Sequence, residues 1–121
     1  MLEKLFSVVV LTYNQETLVE ETLNSIYNQS FKNIELVISD DASKDSTQEV
    51  IADWIESHKD RFSNVVINFN RKNLGLSGNS TAGGKLANGE FVKYIGGDDI
   101  LLPDAIKKMH DFLVNNKKAR F

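Results

Sequence analysis

Asp40-Asp41 and Asp98-Asp99 are two acidic pairs, each placed just after a short apolar run. Two like charges ~4 Å apart repel by ~4 kcal/mol at an effective dielectric of 20. A divalent cation, a hydrogen bond to a ligand or free water relieves that repulsion. One pair alone reads first as a solvated strand-end turn, because Asp is common in turns and at helix caps. Asp45 fits that plain description as a cap. Two pairs at equivalent strand ends ask for more, and a third polar group, Thr12-Tyr13-Asn14, follows another apolar run.

The glycine-rich stretch Asn73-Leu74-Gly75-Leu76-Ser77-Gly78 carries no G-x-G-x-x-G, which argues against a dinucleotide-binding domain. Asn79 to Leu86 approaches a phosphate-binding loop, with Gly84-Lys85 in place. Asn79 stands where the first glycine belongs, however, and Leu86 where a hydroxyl must hold magnesium, so that reading fails. Gly83 and Gly84 serve equally as ligand contacts or as small residues that let a helix approach a sheet.

The elements that must position these groups are legible from periodicity. Phe6–Leu11, Ile34–Ile38, Val65–Phe69 and Phe91–Ile95 are short, β-branched apolar runs, the pattern of strands buried in a parallel sheet. Asn14 offers an N-cap to a helix carrying Val19, Leu23, Ile26 and Tyr27 at helical spacing. A second helix from about Asp45 carries Val50, Ile51, Trp54 and Ile55. A short helix follows the glycine-rich loop and ends at Asn88-Gly89 in a left-handed cap. The last runs from Pro103, in its first turn, to Lys118, with Ile106, Met109 and Leu113 as its core face and Lys117 and Lys118 at its C-terminal dipole.

Four β–α units in succession predict a doubly wound, mainly parallel α/β sheet with right-handed crossovers and helices on both faces. Ligands of such sheets bind beyond the carboxyl ends of the strands, where strand order reverses. The three polar groups therefore reach one edge.

Composition narrows the partners. With 121 residues the chain fits one domain or part of one, and a formal charge of -3 with dispersed lysines argues against a nucleic-acid backbone binder. Its basic cluster, Lys117, Lys118 and Arg120, lies at the extreme end. The absence of cysteine excludes disulfides and thiolate metal sites. No run approaches the ~20 apolar residues of a membrane helix, and the start lacks a signal peptide's regions. A cytoplasmic setting is expected, at the cytoplasmic face of the membrane if a longer parent is anchored there. His58 and His110 fall in helices and read as surface or packing residues.

The ordered set Phe6–Asn14, Leu23–Gln29, Ile34–Ser43, Asn73-Leu74-Gly75, Ala87–Phe91, Gly97-Asp98-Asp99 and Pro103-Asp104 closely resembles the opening of family 2 glycosyltransferases, which have the Rossmann-like GT-A fold. The resemblance covers nearly the whole chain. It implies inverting transfer of a sugar, of hexosyl or N-acetylhexosaminyl type, from a nucleotide-diphosphate sugar, UDP-linked, to a glycan or lipid-linked acceptor in polysaccharide or cell-surface glycan synthesis. Thr12, Tyr13, Asn14, Asp40, Asp41, Asn73, Gly75 and Asp98 would bind the nucleotide, with Thr12, Tyr13, Asp40 and Asp41 reading its base. Asp98 and Asp99 correspond to the family's D-x-D-type motif and would hold Mn²⁺ or Mg²⁺ bridging the diphosphate. The chain departs from the family at Gly96, where many members carry the motif's first Asp, and at Ser80-Thr81, where many carry Arg-Asn.

Under this reading residues 1–121 are the nucleotide-sugar-binding part of one glycosyltransferase domain, cut short after the fourth β–α unit. Ala119-Arg120-Phe121 would begin a fifth strand, and the general base would lie beyond residue 121. Asp104 and Asp111 sit on the last helix as solvent-exposed acids. A half-built sheet leaves an open edge for self-association. A nucleotidyltransferase would instead want a Gly- and Arg/Lys-rich loop after strand one, and Thr12-Tyr13-Asn14-Gln15 has neither. A receiver-type domain would want the acid pair after strand one and a lysine after a fifth strand. A nucleotide-sugar-binding module without activity remains a second reading.

Overall fold

The computed structural model describes residues 3–116. Its order is β1 (Phe6–Thr12), α1 (Val19–Tyr27), β2 (Ile34–Asp40), α2 (Thr47–His58), a 3₁₀ turn (Lys59–Arg61), β3 (Asn64–Phe69), α3 (Gly75–Gly84), β4 (Phe91–Gly96) and α4 (Ala105–Asn115). All four strands are parallel, in the order β3-β2-β1-β4. The doubly wound α/β fold expected from the sequence is therefore present. The path steps from β1 to β3 in one direction, then returns to place β4 on the other side of β1, so strand order reverses between β1 and β4. Register aligns the functional ends: Thr12 lies opposite Asp40, and Leu11 opposite Gly96.

Successive strand residues point to opposite faces. Phe6, Val8 and Val10 of β1 and Ile34, Leu36 and Ile38 of β2 form one cluster with Leu23 and Ile26 of α1, Ile51 and Trp54 of α2, and Ile106 and Leu113 of α4. Each such side chain, fully buried, contributes about 1.5–3 kcal/mol. The opposite face carries α3, which comes so close at Gly83 that a Cβ there would stand 3.0 Å from Val9 Cγ1 and 3.1 Å from Ser39 Cβ. Arg61 fastens the end of α1 from outside. Its guanidinium donates to the carbonyls of Tyr27, Lys32, Gln29 and Phe31 at 2.7–3.0 Å.

Several local expectations are corrected. Asn14 does not cap α1, which starts later at Val19 behind a turn anchored by the Gln15 carbonyl. The glycine-rich segment is already helical from Gly75, because Asp41 accepts the N–H groups of Leu74 and Gly75 and so satisfies donors at the helix start. No left-handed cap forms at Asn88-Gly89, since the positive-φ residues among those described are Asn14, Ala42 and Gly75. Gly89 instead lies against Ser7, whose backbone nitrogen would be 2.6 Å from an added Cβ. Pro103 precedes α4 in a turn, and its carbonyl accepts the Ser30 N–H. Asp45 does act at the start of α2, accepting the Thr47 N–H at 2.9 Å.

His110 is buried, not on the helix surface, packed at 4.5 Å from the Phe31 ring. Its Nε2 accepts the Lys4 N–H, so its proton sits on Nδ1, facing Asp111. His58 stacks on Trp54 with ring centroids 4.2 Å apart. The basic cluster Lys117, Lys118 and Arg120 and the strand start at Ala119-Arg120-Phe121 lie outside the described residues.

Candidate functional site

A cleft of about 680 Å³ opens at the carboxyl edge of the sheet, where the strand order reverses. Thr12, Tyr13 and Gln15 line it from the loop after β1, Asp41 from the end of β2, and Gly96, Asp98 and Asp99 from the end of β4. Asn73, Gly75, Leu76, Asn79 and Ser80 close it from the start of α3, with Tyr94 from β4. Of the residues singled out in the sequence, Thr12, Tyr13, Asp41, Asn73, Gly75, Asp98 and Asp99 thus meet in one cleft.

Asp40 and Asn14 are not among the lining residues. Asp40 is fully buried, and its carboxylate is spent on the protein. Oδ1 accepts from the hydroxyls of Thr12 and Ser43, each at 2.6 Å; Oδ2 accepts from the Ser43 N–H and the Gln48 amide, each at 2.9 Å. It braces the end of β1 against the turn into α2. Asn14, with φ 51°, accepts the Lys44 N–H at 2.8 Å and ties the same two loops together.

Asp41 faces the cleft but is also a structural acceptor. Its Oδ1 takes the Leu74 N–H at 2.7 Å and the Asn70 amide at 3.0 Å, and Oδ2 takes the Gly75 N–H at 2.9 Å. Oδ2 keeps unused acceptor capacity, since each carboxylate oxygen has two lone pairs. Below it, Asn79 accepts the Ser39 hydroxyl and donates back to the Ser39 carbonyl at 2.9 Å, so α3 is pinned to the end of β2.

At the other end of the cleft, β4 turns sharply through Gly96-Gly97. The Gly96 N–H donates to Asp99 Oδ2 at 2.8 Å. Both carboxylates crowd over Gly96: a Cβ there would stand 3.0 Å from an Asp98 oxygen and 3.2 Å from an Asp99 oxygen. Both side chains are exposed. Among the described residues, no ion pair neutralises them, and no group of three His, Cys, Asp or Glu is arranged to hold a metal by itself. The cleft lining contains three carboxylates and no Lys, Arg or His.

Gln15, Leu76, Asn79, Ser80 and Tyr94 were not singled out as cleft residues. Strand alternation places Tyr94 on the same face as Val92 and Gly96, a signal that was available. Nothing in the spacing distinguishes Gln15.

The family model for glycosyl transferase family 2 matches residues 7–119. A Campylobacter jejuni relative, GalNAc(5)-diNAcBac-PP-undecaprenol beta-1,3-glucosyltransferase, is 39% identical over 103 residues, covering 85% of this chain and 32% of its own. The abequosyltransferase RfbV of Salmonella typhimurium is 38% identical over 111 residues, covering 90% of this chain and 32% of its own. Among solved structures, S. aureus TarS 1–349 in complex with UDP superposes with a TM-score of 0.81 and 32% identity, over 93% of this chain and 33% of that one. The mannosyltransferase PcManGT from Pyrobaculum calidifontis, in complex with GDP-Man and Mn²⁺, gives 0.80 and 27%, over 91% and 32%. The chain spans about a third of the length of the relatives it matches.

Proposed function

The chain belongs to glycosyl transferase family 2, and from that premise we propose that residues 1–121 form the donor-binding part of an inverting glycosyltransferase that uses a UDP-linked sugar. The observation that carries this reading is the charge of the cleft: three carboxylates and no basic side chain at the point where strand order reverses. A diphosphate entering there is repelled unless a cation comes with it. Asp98 and Asp99 offer the oxygen donors that Mg²⁺ or Mn²⁺ takes, and with only two protein carboxylates the ligand's phosphates complete the set. Such an ion, when bound, stabilises the departing nucleotide diphosphate as charge develops.

In this reading the base and ribose lie at the α3 end, against Tyr13, Asn73 and Gly75, with the spare lone pair of Asp41 Oδ2 accepting the uracil imide N–H. Thr12 and Asp40 act by holding the loops on either side. The transferred group is hexosyl or N-acetylhexosaminyl, and the acceptor a glycan or lipid-linked glycan; one relative carries a PP-undecaprenol-linked glycan in its name. No described helix is long and apolar enough to cross a membrane. The proposed setting is the cytoplasm, at the membrane face where a lipid-linked acceptor would lie. Among the described residues β3 and β4 are the edge strands of the sheet, and the proposal includes self-association of copies through them.

Calorimetric and thermal titrations test the reading. UDP with Mn²⁺ at ~100 times its dissociation constant adds about 2.7 kcal/mol of stability, which raises the melting temperature by several degrees. Asp98→Asn combined with Asp99→Asn removes the metal dependence and weakens UDP far more than uridine. Equal binding of UDP in EDTA would sink the cation assignment.

A further inference from the structure

Several side-chain donors of the cleft are already engaged within the protein. Thr12 donates its hydroxyl proton to Asp40, Ser80 donates to the Leu76 carbonyl, and Asn73 and Asn79 donate to the carbonyls of Asp41 and Ser39. Gln15 differs. Its Oε1 accepts the Tyr13 N–H at 3.1 Å, which fixes the orientation of the amide, while its Nε2 has no partner among the described residues. Its backbone is equally fixed. The Gln15 N–H donates to Thr47 Oγ1 at 2.8 Å, and its carbonyl accepts from Leu18 and Val19 at the start of α1.

The same amide is wedged against the turn that carries the two carboxylates. A Cβ at Gly97 would overlap Gln15 Oε1 and stand 3.2 Å from its Cδ, so glycine at that position lets the amide lie flat on the turn. Gln15 therefore carries two N–H donors without a partner among the described residues, on a side chain that packs on the turn leading to Asp98 and Asp99 and lines a cleft with no basic residue.

We propose that Gln15 is a binding residue for the phosphoryl oxygens of the nucleoside diphosphate, donating from Nε2 while Oε1 stays on the Tyr13 N–H. The inference rests on the donor-binding reading above and adds to it a neutral amide donor at the carboxylate end of the cleft. A neutral amide suits the place physically. It donates to phosphate without forming an ion pair with Asp98 or Asp99, which a lysine there would do. The fixed amide also loses little side-chain freedom on binding.

Calorimetry of uridine and UDP in saturating Mn²⁺, on wild type, Gln15→Met and Gln15→Glu, tests it. Methionine keeps the length and removes the donor without adding charge; glutamate keeps the acceptor for Tyr13 and replaces the donor with an anion. A hydrogen bond to a charged group is worth ~1.5–3 kcal/mol, so UDP should weaken by roughly 10- to 100-fold in Gln15→Met. Uridine should stay within about twofold, a difference that RT ln 2 makes small, and Gln15→Glu should bind UDP no better than Gln15→Met. UDP binding by Gln15→Met within twofold of wild type overturns the proposal, as does a parallel loss of uridine and UDP, which would mark a purely structural role. Failure of the wild-type chain to bind UDP at all would instead overturn the donor-binding reading on which the proposal stands.

Discussion

Glu35 occupies the amino end of β2, away from the cleft, and is fully buried. Burial by itself pushes its carboxyl up, but hydrogen bonds from the Asn88 N–H and amide, the Ser7 hydroxyl and the Asn64 amide outweigh it and hold the group below the ordinary carboxylate value. A carboxyl held low in the folded chain contributes stability above its unfolded value and loses it as pH falls through the folded one. Stability of the wild type against urea should therefore fall as pH is lowered below the ordinary carboxylate range. Glu35→Gln should cost about 2 kcal/mol or more at neutral pH, by leaving donors without a charged acceptor, and should flatten that acid limb. An acid limb of unchanged slope in Glu35→Gln would reject Glu35 as its source. The same residue type thus does two jobs in this protein, and the sequence shows only part of the difference. Asp40 and Asp41 look alike in sequence, yet one has all its lone pairs filled by neighbours and the other faces the cleft. Thr12, Ser43 and Gln48 decide that, and their convergence on Asp40 depends on loop geometry that no local pattern encodes.

Among the elements, α3 is the one whose existence depends most on its surroundings. Gly75–Gly84 holds four glycines in ten residues, and the interior ones, Gly78 and Gly83, each cost ~1 kcal/mol relative to Ala. Asp41 at its start, Asn79 in its middle and contact with the sheet at Gly83 hold it in place. Gly84 adds a contact with β4: a Cβ there would overlap the Tyr94 hydroxyl. Gly84→Ala should therefore push the half-exposed Tyr94 ring aside and gain little of the ~1 kcal/mol that Ala offers a helix. In a Tyr94→Phe background the nearest ring atom, Cζ, stands 3.3 Å from that Cβ, and the same change should recover most of that ~1 kcal/mol gain. A double-mutant cycle read by urea unfolding should give a coupling of about 1 kcal/mol; identical effects in both backgrounds would rule out the contact as the cause. The four strands were legible as β-branched runs to within two residues at their ends. The start of α3 was not, because a carboxylate from another strand initiates it.

At the scale of the whole molecule, the alternation of strands and helices was enough to predict a parallel sheet that gathers its polar strand ends at one edge. Which of those groups share the cleft depends on the order β3-β2-β1-β4, which puts β1 and β4 side by side with the cleft at their ends. Among the described residues, the proposed donor role takes up all the cleft carboxylates and leaves none of them to deprotonate an acceptor. Inverting transfer needs a general base for the acceptor hydroxyl, within hydrogen-bond reach. Of the cleft carboxylates, Asp41 accepts the N–H groups of Leu74 and Gly75, and in the proposed reading Asp98 and Asp99 would hold the cation. Neither histidine can substitute, since His110 is buried against Phe31 and His58 is stacked on Trp54, and neither lines the cleft. The 121-residue chain should accordingly bind a UDP-sugar in the presence of Mn²⁺ and transfer nothing. The check is paired: calorimetry for donor binding, and release of UDP together with capture of radiolabelled sugar on monosaccharide, glycan and lipid-linked acceptors. Binding with UDP release at the level of an Asp98→Asn, Asp99→Asn control is the expected result. Robust transfer that disappears in that control would show that a base is already present among these residues, and Asp41 would be the first position to substitute in search of it.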